Sequence, residues 1–210
     1  MKEYHKIEGL FKRDEATKRL IWNEYRNPAV AYLANNEWIF TEKIDGTNIR
    51  VHWDGHRVAV GGRTDKAQIP AHLMAVLDEM FGGETNEQVF EEHFGGKEVT
   101  LYGEGYGVKI QNGGSYRPDV SFILFDVQVG DVWLSRENVE AVARYFGIDV
   151  VPVIMRGTID DAIRYVQQRP ASTIGTAMME GLVGRPAVEM LTANGNRVIV
   201  KVKVRDFEEG

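Results

Sequence analysis

The chain contains no cysteine among its 210 residues. This absence excludes disulfides, thiolate zinc sites and a cysteine nucleophile, and it agrees with the cytoplasmic location that we expect. The chain also lacks an apolar run long enough to span a bilayer. The charged N-terminal stretch MKEYHKIEGLFKRDEATK has no apolar centre of the kind found in signal peptides, so we expect no membrane partner.

The chain also has no excess of basic over acidic residues. The chain carries 25 lysines and arginines against 31 aspartates and glutamates, which gives a formal net charge of −6. A broad, non-specific nucleic-acid binder usually has a basic balance, so the composition disfavours that class. An enzyme that acts on nucleic acids remains compatible with it if the basic residues cluster locally.

Linkers, internal repeats and low-complexity tracts are missing, which favours a single domain over 1–210. Helical spacing of apolar residues predicts a helix after Pro70, a second between Ser135 and Gly147, and a third that begins at Thr158. β-prone runs predict strands at 37–43, 48–53, 56–60, 98–104, 121–127, 150–154, 180–184 and 196–204. Strands joined by hairpins, such as the one predicted at Asp54-Gly55, with helices between them indicate an α+β domain of antiparallel sheets.

The last predicted strand, in ANGNRVIVKVKVRDF, alternates between two kinds of side chain. It follows Asn194-Gly195, the pair preferred in a type I′ hairpin turn. One face carries valines, and the other carries Arg197, Ile199, Lys201, Lys203 and Arg205. Such a cationic face either meets water and discourages edge pairing, or binds a polyanion such as triphosphate.

One lysine, Lys43 in TEKIDGTNIRV, ends an apolar strand and is followed at once by the tight-turn pair Asp45-Gly46. Taken alone, Lys43 is either a solvated surface residue or a nucleophile held at a strand end. Four further segments follow it in the order LYGEGYG (101–107), FILFDV (122–127), MEGLVGRP (179–186) and VKVKV (200–204). With KIDGTN, this ordered set resembles the motifs of the covalent nucleotidyltransferase superfamily, which comprises ligases and capping enzymes.

Two residues narrow the resemblance. The fifth residue after the lysine is Asn48. DNA ligases and capping enzymes usually carry arginine there, whereas RNA ligases of the phage double-strand-repair and RNA-editing type carry asparagine. Arg63 in GGRTDK also falls where that branch keeps an arginine. The chain therefore resembles ATP-dependent RNA ligases of that branch, which implies an ATP-grasp-like nucleotidyltransferase domain of antiparallel β-sheets flanked by helices.

The resemblance also implies a role for each matching residue. Lys43 would take AMP from ATP and pass it to an RNA 5′-phosphate, and the adjoining RNA 3′-hydroxyl would then displace AMP. Glu180 would contact a Mg²⁺ or Mn²⁺ ion. The nucleotide site would be completed by Glu42 and Asn48 beside the nucleophile, Arg63 on nucleotide or RNA groups, Glu104 on the ribose and Phe125 on the adenine.

The chemistry of adenylylation explains these residue types. The attacking amine must be uncharged, yet a free lysine has a pKa of about 10.4. Nearby cations disfavour an ammonium form, so Lys201, Lys203 and a metal ion would help to present Lys43 as the free amine. The same cations would neutralise charge that develops on the α-phosphate and help pyrophosphate to leave. Magnesium prefers oxygen ligands and often uses only one or two carboxylates, which suits Glu180.

Several assignments have structural alternatives. Glu104 lies between two glycines, which indicate either close backbone approach to a ligand or a bulge. Phe125 could belong to the core. Asp126 shares the parity of neighbouring apolar residues, so its carboxylate is either functional or locally hydrogen-bonded. The five histidines show no metal-ligand spacing.

Three functions remain open from the sequence. The first is an ATP-dependent RNA ligase, acting as a monomer on RNA with 5′-phosphate and 3′-hydroxyl ends. The second is a DNA ligase or a capping-type nucleotidyltransferase, against which Asn48 argues, and the third is a nucleic-acid end-binding module without turnover. Ligases of this branch often carry a further domain after the last motif, and we expect no separate C-terminal domain here. Basic residues near the N-terminus could extend an RNA contact: Lys12, Arg13, Lys18 and Arg19.

Overall fold

The structure is a computed structural model, and it describes residues 1–207. The strands, in chain order, are Glu8–Gly9 (β1), Phe11–Arg13 (β2), Leu20–Tyr25 (β3), Trp38–Glu42 (β4), Thr47–Trp53 (β5), Val58–Gly61 (β6), Val99–Gly107 (β7), Val120–Val129 (β8), Val132–Trp133 (β9), Asp149–Val150 (β10), Val153–Gly157 (β11), Gly181–Pro186 (β12) and Val200–Lys203 (β13). The helices are Pro28–Tyr32 (α1), Ala71–Phe81 (α2), Glu84–Phe94 (α3), Arg136–Phe146 (α4) and Ile159–Gln167 (α5).

The chain divides into two compact units. The first unit comprises Met1–His5 and Asp45–Val151, and the second comprises Lys6–Ile44 together with the described residues from Pro152 onward. Each unit has a sheet and a buried hydrophobic cluster of its own. The predicted nucleotidyltransferase domain would include both units.

The second unit is built on a five-stranded sheet in the order β1-β13-β12-β4-β11. Only β1 and β13 are paired in parallel, and the remaining pairs of this sheet are antiparallel. On β4, Trp38 and Phe40 are fully buried because alternate residues of a strand point to the same face. Helix α5 packs against this sheet and begins with a capping box in which Thr158 and Asp161 satisfy each other's backbone groups.

The first unit is built on a six-stranded sheet in the order β10-β8-β7-β5-β6, with β9 paired to β8. Helices α2 and α4 pack against β8. Strands β5 and β6 form the hairpin predicted at Asp54-Gly55. The apolar face of β5, formed by Ile49, Val51 and Trp53, is buried against the helices, which leaves the other face of this strand to polar residues.

The predicted α+β class of antiparallel sheets with flanking helices is confirmed. The three predicted helices correspond to α2, α4 and α5. Ser135 is the N-cap residue of α4, as predicted, although its side chain makes no capping hydrogen bond. Gly147 ends that helix in the left-handed conformation, in which its backbone N–H donates to the carbonyls of Ala143 and Arg144.

Two strand predictions differ from the structure. The run predicted at 150–154 is divided between two sheets, because β10 pairs with β8 and β11 pairs with β4. The strand predicted at 196–204 is regular only at β13. In the turn before it, Gly195 has a positive φ of 79° and Asn194 does not, so the prediction of a type I′ turn is wrong. Within residues 1–207, no helix has the length and apolar character needed to cross a membrane.

Candidate functional site

The second unit brings Lys43 beside Glu180 through the pairing of neighbouring strands. Lys43 directly follows β4, and its backbone N–H donates to the carbonyl of Gly181 at 2.9 Å. Glu180 directly precedes β12, whose Leu182 lies opposite Glu42 of β4. On the other side of β12, Gly181 lies opposite Lys203 of β13. Three adjacent strands therefore deliver charged side chains to one end of the sheet.

Glu180 accepts a hydrogen bond from an ammonium group on each of its two oxygens. Lys43 Nζ lies 2.6 Å from Oε2, and Lys203 Nζ lies 2.5 Å from Oε1. The three side chains are only 25%, 19% and 15% exposed for Lys43, Glu180 and Lys203. Burial raises the pKa of the Glu180 carboxyl, but the two ammonium groups outweigh burial and hold this pKa below its usual range.

A third cation, Lys201, lies two residues before Lys203 on β13. The strand alternates between buried valines and half-buried lysines, so both lysines share one face, as predicted. Burial lowers the pKa of Lys201, and the positive charges of Lys203 and Lys43 lower it further. We call Lys43, Glu180, Lys201 and Lys203 the lysine cluster.

The remainder of the predicted cationic face is not uniform. Arg197 is 6% exposed and pairs with Glu189, and Ile199 is also buried. Arg205 follows β13 and has an exposed side chain. The row of cations therefore reduces to Lys201 and Lys203.

Glu42, the residue before Lys43, is 1% exposed and makes contacts that sequence analysis missed. Its carboxylate accepts hydrogen bonds from Ser172 Oγ at 2.5 Å, Thr173 Oγ1 at 2.5 Å and the Thr173 N–H at 3.0 Å. These partners lie in the segment that leads to Glu180. The predicted role of Glu42 beside the nucleophile stays a prediction.

In the first unit, Asn48 of β5 lies directly opposite Glu104 of β7. The Oδ1 atom of Asn48 is buried, and no group within residues 1–207 hydrogen-bonds to it. A buried polar atom without a partner is costly, so this position suits a ligand that carries a hydrogen-bond donor.

The Asp45-Gly46 turn lies tightly against β7. A Cβ atom on Gly46 would lie 2.3 Å from the carbonyl oxygen of Gly105 and 2.8 Å from Cγ of Glu104. A side chain therefore cannot be accommodated at residue 46 without moving the β7 backbone. This close approach explains the glycine after Asp45 and sets the start of the strand that carries Asn48.

A bulge lies opposite the LYGEGYG segment, on β8 and not on the strand that carries Glu104. The register of β7 and β8 shifts between Tyr102 and Gly103, which leaves Phe125 as the additional residue on β8. A Cβ atom on Gly103 would lie 2.2 Å from the ring of Phe122, so this glycine is required by packing. Phe125 is half-buried, and its ring meets that of Tyr4 edge-on at 5.0 Å.

For Asp126, the structure supports the alternative of a carboxylate that is hydrogen-bonded within the fold. It is fully buried and accepts a hydrogen bond from the hydroxyl of Tyr4 at 2.7 Å. Its Oδ1 also lies 3.2 Å from the N–H of Val127. These contacts give the buried carboxylate a structural reason to be present.

The predicted site residues thus fall into two groups, one in each unit. The second unit holds Glu42, Lys43, Glu180, Lys201 and Lys203, and the first holds Asn48, Arg63, Glu104 and Phe125. Arg63 is exposed in the loop after β6. In the part of the chain that the structure describes, no three histidine, aspartate or glutamate residues are grouped in a way that would hold a metal ion.

A sequence model of the family described as "RNA ligase" matches residues 36–203, the span that contains every one of these residues. The chain belongs to the RNA ligase family. The family assignment agrees with the resemblance derived from the ordered motifs, while the phage-type branch remains a prediction. No curated protein sequence matches this RNA ligase family member.

Solved structures of the Naegleria gruberi RNA ligase share the fold of this family member. A variant of that enzyme with ATP and manganese is 16% identical with a TM-score of 0.65, and the match covers 84% of this chain and 51% of that chain. A second variant with ATP and manganese is 16% identical with a TM-score of 0.66, covering 95% and 59%. The enzyme with pyrophosphate is 16% identical with a TM-score of 0.62, covering 97% and 62%. The chain thus spans between 51% and 62% of the length of these relatives.

Proposed function

We propose that the chain is an ATP-dependent RNA ligase that works through a lysyl-AMP intermediate on Lys43. In the first step the Nζ–phosphorus bond forms and pyrophosphate leaves. In the second, an oxygen of the RNA 5′-phosphate attacks the AMP phosphorus and the Lys43 amine departs. In the third, the RNA 3′-hydroxyl attacks the 5′-phosphate and AMP is released.

The lysine cluster is the observation that carries this proposal. It places a strand-end lysine within 2.6 Å of a carboxylate that also binds Lys203, with Lys201 on the same strand face. Two cations beside the amine suit an attack on a triphosphate, because they offset charge that develops on the α-phosphate and on pyrophosphate. A solvated surface lysine would need none of these partners.

ATP is the proposed nucleotide, and Mg²⁺ or Mn²⁺ is the proposed metal. The Naegleria relatives solved with ATP and manganese, and with pyrophosphate, support this choice. In this chain, the partnerless Oδ1 of Asn48 fits a nucleotide donor group, and Glu180 is the carboxylate available to a metal ion. A bound divalent ion would supply positive charge against the triphosphate.

The remaining predicted roles belong to the same proposal. Lys201 and Lys203 would bind phosphate oxygens, and Asn48 and Glu42 would shape the pocket beside Lys43. Glu104 would bind the ribose, Phe125 would stack on adenine and Arg63 would engage nucleotide or RNA groups. The RNA substrate with 5′-phosphate and 3′-hydroxyl ends, the monomeric state and the cytoplasmic location stay predictions.

The test is transfer of label from α-labelled ATP to the protein. A phosphoramidate between Lys43 and AMP would survive denaturation, so label should migrate with the protein on a denaturing gel and should require a divalent metal. We expect Lys43→Ala to abolish the label. Lys97→Ala, which removes an exposed lysine outside every motif, should leave the label unchanged.

Two results would contradict the proposal. Label retained in Lys43→Ala would remove the nucleophile assignment. No label in the wild-type chain with ATP, GTP or NAD would favour a nucleic-acid end-binding module. A comparison of nicked RNA with nicked DNA as acceptor then distinguishes an RNA ligase from a DNA ligase.

A further inference from the structure

Arg50 on β5 is a fully buried arginine, with a side chain that is 0% exposed. All three guanidinium nitrogens donate hydrogen bonds: Nε to the carbonyl of Gly62 at 2.7 Å, Nη1 to the carbonyl of Met1 at 2.8 Å and Nη2 to Asp65 Oδ1 at 2.8 Å. A buried charge is tolerated only when it is paired and hydrogen-bonded, and this guanidinium is both. This burial could not be predicted from the sequence, because alternation along β5 predicts a polar, solvated position for residue 50.

Two of the residues that Arg50 binds flank Arg63 along the chain. Gly62 and Asp65 lie on either side of it in the loop that follows β6, and both are bound by the same guanidinium. Arg63 itself is exposed. The planar guanidinium holds two points of the loop with donors in a rigid fork, whereas the three donors of a lysine ammonium group rotate freely on a single nitrogen.

The strand face on which Arg50 lies links this arrangement to the proposed site. Arg50 is two residues from Asn48, so their side chains leave β5 on the same face. Glu104 of β7 lies directly opposite Asn48, so its side chain is on the same face of the sheet. Stability alone does not require an arginine here, since a well-packed apolar residue often replaces a buried ion pair without loss.

We propose that Arg50 is a positioning residue that clamps the loop at residues 62–65 and thereby presents Arg63 to the nucleotide or RNA. The inference rests on the proposed function, in which Arg63 engages one of these ligands. It adds a residue that acts through Arg63 and does not itself touch the substrate.

Loop opening tests the clamp independently of ligase activity. Trypsin cleaves after Arg63 and Lys66, and the rate of cleavage in native protein reports local opening. Arg50→Lys and Asp65→Asn should each accelerate cleavage in this loop by about threefold to tenfold, as loss of one typical hydrogen bond predicts. Glu140→Gln, which removes the half-buried charged partner of Arg136 in the same unit, is the matched control and should leave the rate unchanged.

A double-variant comparison tests the positioning role. Arg63→Ala should slow one step, either labelling by ATP or transfer to RNA, and Arg50→Lys should slow that same step. Arg50→Lys combined with Arg63→Ala should be no slower than Arg63→Ala alone, because the clamp acts only through Arg63. If Arg50→Lys fails to fold, Asp65→Asn replaces it, since its carboxylate is 67% exposed.

The outcomes separate the clamp from the proposed function. Unchanged cleavage in both Arg50→Lys and Asp65→Asn overturns the clamp. Losses that multiply in the double variant overturn the positioning role, because Arg50 then acts independently of Arg63. Absence of label in the wild-type chain overturns the proposed function and the role of Arg63, whereas accelerated cleavage would still support the clamp.

Discussion

The ammonium nitrogen of Lys43 lies 2.6 Å from a carboxylate oxygen of Glu180, so the proposed nucleophile is held in an ion pair. An ammonium nitrogen has no lone pair with which to attack phosphorus. The proposed first step therefore requires this pair to open and the amine to lose a proton. Lys203 is bound to the other oxygen of Glu180 and could keep the carboxylate in place when Lys43 leaves.

Lys201 is expected to lower stability while supporting activity. Its folded pKa lies below the usual value of 10.5, so the folded state holds this proton less tightly than the unfolded state does. The resulting penalty is full below the folded pKa and fades as pH rises toward 10.5. We expect Lys201→Met to raise Tm by about 1–2 °C at pH 7, since solvent screening keeps the gain well under 1 kcal/mol. The gain should shrink at pH 10.

The same variant should lose about 100-fold in the rate of labelling by ATP, the usual cost of removing one group that stabilises the transition state. Lys203→Met is the matched comparison. It should lower both labelling and stability, the latter by about 1 kcal/mol, because Glu180 loses a hydrogen-bond partner. Thermal unfolding and gel labelling measure the two effects. Equal changes in Tm for the two variants would contradict the prediction.

Gly46→Ala tests the close approach of the turn to β7. The added Cβ would lie 2.3 Å from a backbone oxygen, so β5 and β7 must separate locally, at a cost of about 1–3 kcal/mol. Denaturant unfolding measures that cost, and the affinity for ATP should fall with it because Asn48 is the second residue of the displaced strand. In Gly96→Ala, by contrast, the new Cβ meets nothing within 4 Å, and stability should be preserved. An unchanged free energy of unfolding in Gly46→Ala would contradict the prediction and show that the β7 backbone can move at little cost.

Tyr4→Phe tests the structural assignment of Asp126. It removes the 2.7 Å hydrogen bond from a fully buried carboxylate, which should destabilise the protein by about 1–3 kcal/mol. Tyr32→Phe removes a hydroxyl from a residue that is 87% exposed and should change the free energy of unfolding by less than about 0.5 kcal/mol. A large loss of labelling by Tyr4→Phe at unchanged stability would instead indicate a functional role for Asp126.

RNA binding should weaken steeply with salt if basic side chains neutralise phosphates. Near the N-terminus, Arg13 is bound to Asp206 and Lys12 pairs with Glu24, whereas Lys18 and Arg19 lie exposed in the turn between β2 and β3. The double variant Lys18→Asn with Arg19→Ala should reduce the slope of log Kd against log salt by about 1.4–1.8. Asparagine is chosen because residue 18 has a φ of 58°.

Binding constants measured between low and physiological salt give this slope. Lys97→Ala serves as the control for a change of one exposed charge and should leave the slope unaltered. Wild-type binding that stays flat over that range would remove the proposed basic contact.

The lysine cluster could be predicted because the motifs mark Lys43 and Glu180 and because strand periodicity places Lys201 with Lys203. Contacts between distant segments could not be predicted from the sequence. Glu42 and Ser172 are 130 positions apart, and no local pattern connects a glutamate at a strand end with a serine in a loop.

Two other differences between prediction and structure have causes of their own. Helix α3 was not predicted because ETNEQVFEEHF is mostly polar and has no apolar stripe of helical period. The burial of Arg50 depends on the carbonyl of Met1 and on the loop after β6, neither of which strand alternation reveals. Alternation predicts which face a side chain occupies, and tertiary contacts decide whether that face meets water.

The interruption of the second unit by the first has a consequence for the order of folding. Lys43 and Glu180 are 137 positions apart, and the intervening chain includes most of the first unit. During synthesis, the first unit is complete once Val151 has emerged, whereas β4 must wait for β11 and β12, and β12 in turn must wait for β13. Domains generally fold as units while the chain is made, and pairings of high sequence separation form late. The lysine cluster should therefore assemble last, so a nascent chain would acquire the proposed nucleotide chemistry only after β13 has been translated.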